Sequence, residues 1–335
     1  MKIIKFLLFI LLLNVSLISC NYFKKPQLVK FNGKAQGSTY SVSYYDTENR
    51  NFQNEIDSLL NKFNSVFSIY DSSSMISKTN RNESVELNDW FKDVFNTSEH
   101  IYKETYGCFD PTVAPLVNAW GFGSKRADNV NQKEIDSLLK FVGFNKIKIK
   151  DNIIVKEDKR VMLDFNAIAQ GFCSDVIGSF LESKKIRSYI VEIGGEIVTK
   201  GEKQDGSLWK VGIEKPAQNA DDAQSIFQVA NVKNKALSTS GNYRKYIEKN
   251  GKRYSHEIDP KTGYPEENNL LSVTVVADKC ITADAYATAF MVMGLEKAFT
   301  FAQKTPELEA FFIFSDGNKG MQTKATKGFR AMMEE

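Results

Sequence analysis

Two short stretches near the C-terminal end of the chain hold the residues best suited to chemistry, and the first surrounds a histidine. Residues 255–263 read Ser-His-Glu-Ile-Asp-Pro-Lys-Thr-Gly and contain His256, one of only two histidines in 335 residues. Pro260 presets φ for a turn and Gly263 can close it, so His256 and Asp259 are expected where a strand enters a tight corner. Because imidazole titrates near neutral pH, a histidine in such a turn can serve as a general base.

The second stretch combines a carboxylate with a hydroxyl. A helix is predicted to begin at the capping residue Thr282, which places Asp284 and Thr288 four positions apart on one face. Oxygen donors of these types suit Mg²⁺ or Ca²⁺, although the same spacing is common on solvated helices. The neighbouring residues are small and apolar, and an unpaired carboxylate among them would be costly, which favours a metal site.

The other reactive side chains are predicted to be structural. His100 lies within a predicted helix without a ligand-type partner at helical spacing, so we expect a surface or packing residue. Cys108, Cys173 and Cys280 form neither a CxxC nor a Cys/His zinc pattern, and we expect buried thiols that act as small apolar groups.

Three Gly-rich or small-residue segments could let a ligand approach the backbone. Trp120 stands beside Gly121 in a segment with two prolines and three glycines, which fits either a ring platform for a flat ligand or a structural corner. Asn166 is a candidate cap of a helix whose N-terminus could bind phosphate. The pair Gly194-Gly195 allows either close ligand approach or a plain hairpin.

The elements that must position these residues are mixed. The periodicity of apolar residues predicts helices over residues 52–67, 89–106 and 131–139, and strands over residues 40–44, 161–165, 189–193, 196–199 and 271–276. Several strand pairs look like hairpins, and no regular βαβ alternation is present. The expected fold class is therefore α+β, with a mainly antiparallel sheet flanked by helices.

The N-terminal residues resemble an export signal. Two lysines precede an apolar run and the sequence Leu-Ile-Ser-Cys, which is similar to the bacterial lipoprotein box and would make Cys20 the lipidated residue. An ordinary signal peptide is the alternative. We expect a signal peptide over residues 1–19, the lipidated Cys20 and a tether over residues 20–30, and a single domain over residues 31–335. The protein is then exported and lipid-anchored to a bacterial membrane, facing the periplasm, with the inner membrane favoured.

The charge pattern argues against a nucleic-acid partner. The formal net charge is +3, and lysines alternate with acidic residues instead of forming a basic stripe.

Several segments together resemble the bacterial FAD:protein FMN transferases, the ApbE family, and they follow the family's order over nearly the whole mature chain. The matching segments are residues 33–40, 67–80, 110–123, 163–171, 191–196, 209–216, 237–244, 255–265 and 272–294. The resemblance implies two interlocked lobes with a flavin nucleotide groove. It also implies a reaction in which FAD is the substrate, FMN is joined to a Thr or Ser hydroxyl of an acceptor protein, and AMP leaves.

The resemblance further implies a cofactor, a partner and roles for individual residues. Family members use Mg²⁺ and modify flavin-carrying subunits of membrane redox pumps. By similarity, His256 is the candidate base, and the metal ligands are Asp284, Thr288 and the backbone carbonyl of Ala167. The positions that match FAD contacts of the family are Gln36, Tyr70, Ala119, Trp120, Gly121, Gln170 and Ile258.

Three alternatives stay open at this point. Asp259 or Asp284 could be the base instead of His256. The same residues could also form a Mg²⁺-dependent FAD pyrophosphatase with water as the nucleophile. A lipoprotein that only binds FAD is the third possibility.

Overall fold

The computed structural model describes residues 25–123, 130–217, 223–243, 246–249 and 252–334. The strands are β1 (Gln27–Ala35), β2 (Ser38–Asp46), β3 (Ile147–Lys150), β4 (Ile153–Lys156), β5 (Tyr189–Ile193), β6 (Glu196–Lys200), β7 (Trp209–Glu214), β8 (Ile226–Val232), β9 (Ala236–Gly241), β10 (Tyr246–Lys249), β11 (Lys252–Ser255), β12 (Leu270–Ala277), β13 (Glu309–Ser315) and β14 (Met321–Ala325). The helices are α1 (Gln53–Phe67), α2 (Met75–Asn80), α3 (Asp89–Glu104), α4 (Ala114–Trp120), α5 (Gln132–Leu139), α6 (Asn166–Ser183), α7 (Cys280–Met293), α8 (Leu295–Lys304) and α9 (Lys327–Met332).

An eight-stranded sheet runs through the domain in the order β1-β2-β5-β6-β9-β12-β13-β14, and every neighbouring pair is antiparallel. Three two-stranded sheets pair β3 with β4, β7 with β8, and β10 with β11. The expected α+β class with a mainly antiparallel sheet is confirmed.

Each face of the large sheet has its own apolar core. Helices α1, α3, α6 and α7 pack on one face around residues such as Phe63, Phe91 and Phe290. The pair β7–β8 and helix α9 cover the other face through residues such as Val211 and Phe329. The sheet is therefore covered on both sides in its middle, which agrees with the almost complete burial of β12.

The regular patterns of the sequence form the elements that they predict. Tyr40, Val42 and Tyr44 alternate along β2 and are buried, as expected for a strand with one face on the core. The helices predicted over residues 52–67, 89–106 and 131–139 correspond to α1, α3 and α5. His100 is exposed on α3, and Cys173 and Cys280 are free, buried thiols, as predicted.

The strand predicted over residues 161–165 is wrong, because a side chain takes the place of a neighbouring strand. Asn80 Nδ2 donates to the carbonyl of Leu163 at 2.8 Å, and Asn80 Oδ1 accepts from the N–H of Leu163 at 2.8 Å. The N–H of Asp164 donates to the carbonyl of Pro111 at 2.8 Å. The segment therefore pairs with no neighbouring strand among the described residues, and it leads directly into α6.

The predicted cap at Thr282 is also wrong. Helix α7 begins two residues earlier, at Cys280. The carboxylate of Asp175 on α6 accepts from the N–H groups of Cys280 and Ile281, each at 2.9 Å. A charged acceptor from another helix therefore satisfies the free N–H groups at this helix start.

Within the part of the chain that the structure covers, no helix has both the length and the apolar character that a membrane span requires.

We expect Asn80→Ala to destabilise the domain, because it removes both hydrogen bonds to Leu163 and leaves two backbone groups without partners. The free energy of unfolding should fall by about 2–3 kcal/mol, measured by urea denaturation. Asn54→Ala, at an exposed position of α1, is the control and should stay within about 0.5 kcal/mol of the wild type. Equal losses for the two variants would contradict this role of Asn80.

Candidate functional site

One cavity brings most of the predicted site residues together. It has a volume of about 480 Å³ and lies between α4, the start of α6, the end of α7 and the turn after β11. The predicted residues that line it are Gln36, Tyr70, Gly121, Ala167, Gln170, His256, Ile258 and Thr288. A larger cavity of about 720 Å³ lies farther along α6 and contains none of the predicted site residues.

The turn that carries His256 forms as the sequence predicts. It follows β11, and the N–H of Gly263 closes it by donating to the carbonyl of Asp259 at 2.8 Å. Gly263 has φ +75, and a Cβ there would lie 2.5 Å from the side chain of Ile135, so glycine suits this position on both counts. The side chain of His256 is partly exposed in the cavity wall, and its Nε2 lies 3.3 Å from Oε1 of the buried Glu257.

Asp284 is buried and held from two sides. The N–H of Gly171 on α6 donates to its Oδ2 at 2.9 Å, and Ser238 Oγ lies 3.4 Å from its Oδ1. Burial in this dry environment raises the pKa of Asp284 to about 7, although the hydrogen bond from Gly171 opposes the shift. A carboxylate with so few partners is a good candidate for binding a cation.

The contact between α6 and α7 requires a glycine at position 171. A Cβ there would lie 2.4 Å from the carbonyl oxygen of Cys280 and 2.7 Å from Cβ of Asp284. In a regular α-helix the N–H of Gly171 would bond to the carbonyl of Ala167, so its bond to Asp284 competes with that intrahelical bond. This N–H therefore joins Asp284 to the helix that carries Ala167, another predicted metal ligand.

Thr288 is the third predicted ligand, and it faces both the cavity and the sheet. Its Oγ1 lies 3.3 Å from Ser240 Oγ on β9. Among the described residues, no group of three or more His, Cys, Asp or Glu side chains is arranged to hold a metal ion. The predicted set differs from such a group because it combines one carboxylate with a hydroxyl and a backbone carbonyl.

The ring of Trp120 is part of a packed corner. Its Nε1 donates to the carbonyl of Gly263 at 2.8 Å, and its ring stacks on Tyr254 with 5.5 Å between the centroids. Neither Trp120 nor Ala119 lines the cavity, whereas the next residue, Gly121, does. The ring thus ties α4 to the turn of His256, and a flavin contact by residues 119 and 120 stays a prediction.

Three carboxylates in the cavity wall were not predicted as part of the site: Asp110, Asp164 and Glu257. Burial raises the pKa of Asp110 to about 6 and also raises that of Asp164. Asp164 Oδ1 accepts from the N–H of Asn166, the first residue of α6, at 2.8 Å. The N-cap position is Phe165, which makes no side-chain cap hydrogen bond, so the cap predicted at Asn166 is wrong.

Comparison with known proteins gives a consistent result. The model of the ApbE family matches residues 36–312. A Haemophilus influenzae protein described as FAD:protein FMN transferase is 34% identical over 96% of this chain and 95% of its own length. A Vibrio cholerae protein with the same description is 34% identical over 93% of this chain and 95% of its own length.

Solved structures agree in fold. The flavin transferase ApbE from Vibrio cholerae superposes with a TM-score of 0.82 at 33% identity, covering 92% of this chain and 99% of that one. The apo form of the Pseudomonas stutzeri flavinyl transferase ApbE gives a TM-score of 0.81 at 32% identity, covering 93% and 98%.

We expect Asp284→Asn to change how stability depends on pH. Because the folded pKa of about 7 lies above the usual value of 3.8, the stability that Asp284 contributes is complete below pH 4 and is lost as the pH rises toward 7. The wild type should therefore lose about 2–3 kcal/mol relative to the variant between pH 4 and 7. Urea denaturation in the presence of a chelator measures the difference. Asp136→Asn, at an exposed position of α5, should leave the pH dependence of the wild type unchanged.

Proposed function

This chain belongs to the ApbE family, and we propose that it transfers FMN from FAD to a Thr or Ser hydroxyl of an acceptor flavoprotein with release of AMP. The observation that carries the proposal is the single cavity that His256 shares with Thr288 and with most of the predicted FAD contacts. The two curated relatives described above, which match almost their whole length, support the same reaction.

The cavity offers groups that can recognise a flavin. Gln36 lines the cavity, and a side-chain amide can hydrogen-bond a carbonyl or ring nitrogen of the isoalloxazine. Tyr70 is 73% exposed where it borders the cavity, so its ring face is free to stack on a flat ligand. Gly121 brings backbone without a side chain to the cavity wall.

The three oxygen donors fit Mg²⁺, which we propose as the cofactor. Asp284, Thr288 and the carbonyl of Ala167 are hard donors of the kind that Mg²⁺ takes, and these three residues would hold the ion. When bound, Mg²⁺ offsets the charge of the pyrophosphate and stabilises the departing AMP. The carboxylates of Asp110, Asp164 and Glu257 in the same wall would otherwise repel a phosphate.

His256 is the favoured base, because it lines the cavity, whereas neither Asp259 nor Asp284 does. His256 takes the proton of the acceptor hydroxyl. The hydroxyl oxygen forms a bond to the phosphorus of the FMN half of FAD. The bond between that phosphorus and the bridging oxygen breaks, and AMP leaves with that oxygen. Glu257, 3.3 Å from Nε2, stabilises the imidazolium that results.

We also propose that the protein acts at a membrane surface on a flavin-carrying subunit of a redox pump. The similarity of residues 17–20 to a lipoprotein box supports lipidation of Cys20 and export. Residues 1–24, with the signal peptide and Cys20, lie outside the described residues. One lipid group would hold the enzyme close to membrane-bound acceptors without a membrane-spanning helix.

We expect His256→Ala to abolish flavin transfer, because the base is removed, while FAD binding stays within a few-fold of the wild type. In-gel flavin fluorescence of an acceptor protein measures transfer, and quenching of FAD fluorescence measures binding. His100→Ala removes the only other histidine, which is exposed on α3, and should leave both measurements unchanged.

The products formed by the wild type separate the three possible functions. Fluorescence on the acceptor supports transfer, whereas free FMN and AMP without labelled acceptor would show a pyrophosphatase. Unaltered FAD after incubation with Mg²⁺ and acceptor would show a binding protein. Full transfer by His256→Ala would exclude His256 as the base and leave the transferase assignment standing.

We expect Cys20→Ala to prevent lipidation. The full-length chain expressed in bacteria should then fail to incorporate labelled palmitate. Cys108→Ala is the control and should keep the label. Unchanged labelling of Cys20→Ala would contradict the proposal.

A further inference from the structure

Two serines on β9 face the two side chains that we propose as metal ligands. Ser238 is completely buried, and its Oγ lies 3.4 Å from Asp284 Oδ1. Ser240 Oγ lies 3.3 Å from Thr288 Oγ1. Both serines come from the middle of the large sheet, where β9 pairs with β12 and β6.

The serines on the strand match the ligands on the helix because the two elements space their residues similarly along one side. Residues two apart on a strand lie on one side about 6.6 Å apart. Residues four apart on a helix are separated by about 6 Å along its axis. Ser238 can therefore face Asp284 while Ser240 faces Thr288. The intervening Thr239 points to the other side of the sheet, where its Oγ1 lies 2.8 Å from Thr274 Oγ1.

The hydroxyls have complementary roles at the two ligands. Asp284 as an ionised ligand only accepts hydrogen bonds, so the hydroxyl of Ser238 donates to Oδ1 while the N–H of Gly171 donates to Oδ2. Thr288 has to turn a lone pair toward a metal, and its proton then needs an acceptor elsewhere. Ser240 Oγ is within reach to accept that proton.

We propose that Ser238 and Ser240 are positioning residues that orient Asp284 and Thr288 for Mg²⁺. This inference rests on the proposed metal site. The inference adds an explanation of how the ligands are oriented: the sheet, and not the helix alone, aligns the two ligands on α7. Hydrogen-bond partners behind a ligating carboxylate typically change metal affinity by ten- to a hundredfold. Because the two distances here are long, the lower end of that range applies to each serine.

The experiment measures Mg²⁺ affinity on the full chain, with and without saturating FAD and with no acceptor. Thermal unfolding is followed against Mg²⁺ concentration, and the apparent Kd is taken from the shift in Tm. Ser238→Ala and Ser240→Ala should each weaken Mg²⁺ binding by about tenfold. Ser240→Thr keeps the hydroxyl and should retain the affinity of the wild type.

Thr239→Ala is the matched control for a purely structural effect. It removes a hydroxyl from the same strand but from the opposite side, so it should lower Tm without changing the Kd for Mg²⁺. If Ser238→Ala and Ser240→Ala bind Mg²⁺ as tightly as the wild type, or if Thr239→Ala weakens binding equally, the inference is wrong. If the wild type itself shows no Mg²⁺-dependent shift in either condition, the proposed metal site fails, and the inference fails with it.

Discussion

The close contact of α6 with α7 is the constraint on which the candidate site depends. It is possible because position 171 has no side chain, and it places a backbone N–H 2.9 Å from the carboxylate of Asp284. Asp175 strengthens the same contact one turn later, since its carboxylate caps the first N–H groups of α7. The two helices are thus joined by polar groups within an apolar core, where such bonds are expensive to break. The relative position of the Ala167 carbonyl and Asp284 follows from this junction.

The candidate cavity lies where two apolar clusters meet. The main core supplies the wall formed by α6 and α7, and a smaller cluster around Leu116, Trp120 and Ile135 supports α4 and the turn of His256. The indole of Trp120 joins the two parts of the smaller cluster by its bond to the carbonyl of Gly263. The two sides of the cavity therefore have separate supports, which suits a groove that must accept both a dinucleotide and the hydroxyl of a protein substrate.

Local patterns in the sequence were enough to predict much of the fold. The apolar periodicity of α1, the alternation along β2 and the Pro–Gly turn after His256 each depend on neighbouring residues, and each forms as expected. Two of the errors arise where a side chain that is distant in sequence satisfies the backbone. Asn80 satisfies the backbone of Leu163 across 83 positions, and Asp175 caps α7 across 105 positions, so neither extended segment nor helix start could be read locally.

The candidate site likewise contains residues that the sequence predicted and residues that it did not. Residue types and spacing singled out His256, Asp284 and Thr288, and the family resemblance gave them their roles. The structure brings the first and the last into one cavity. The acidic wall formed by Asp110, Asp164 and Glu257 was missed, because an acidic residue beside a turn or helix start is usually a solvated cap. The burial of this wall depends on how α4 and α6 pack, and that packing is visible only in the three-dimensional structure.

The position of β12 has a consequence for how the site assembles. The turn of His256 precedes this strand and the helix of Asp284 and Thr288 follows it, so a continuous stretch of chain carries the proposed base and two of the three proposed ligands. Loop closure within such a stretch costs little entropy, and these groups can approach one another early in folding. The carbonyl of Ala167 and the serines of β9 come from earlier parts of the chain and complete the site only when the sheet closes. Local unfolding of α6 would accordingly remove the proposed ligand Ala167 while leaving the proposed base in its turn.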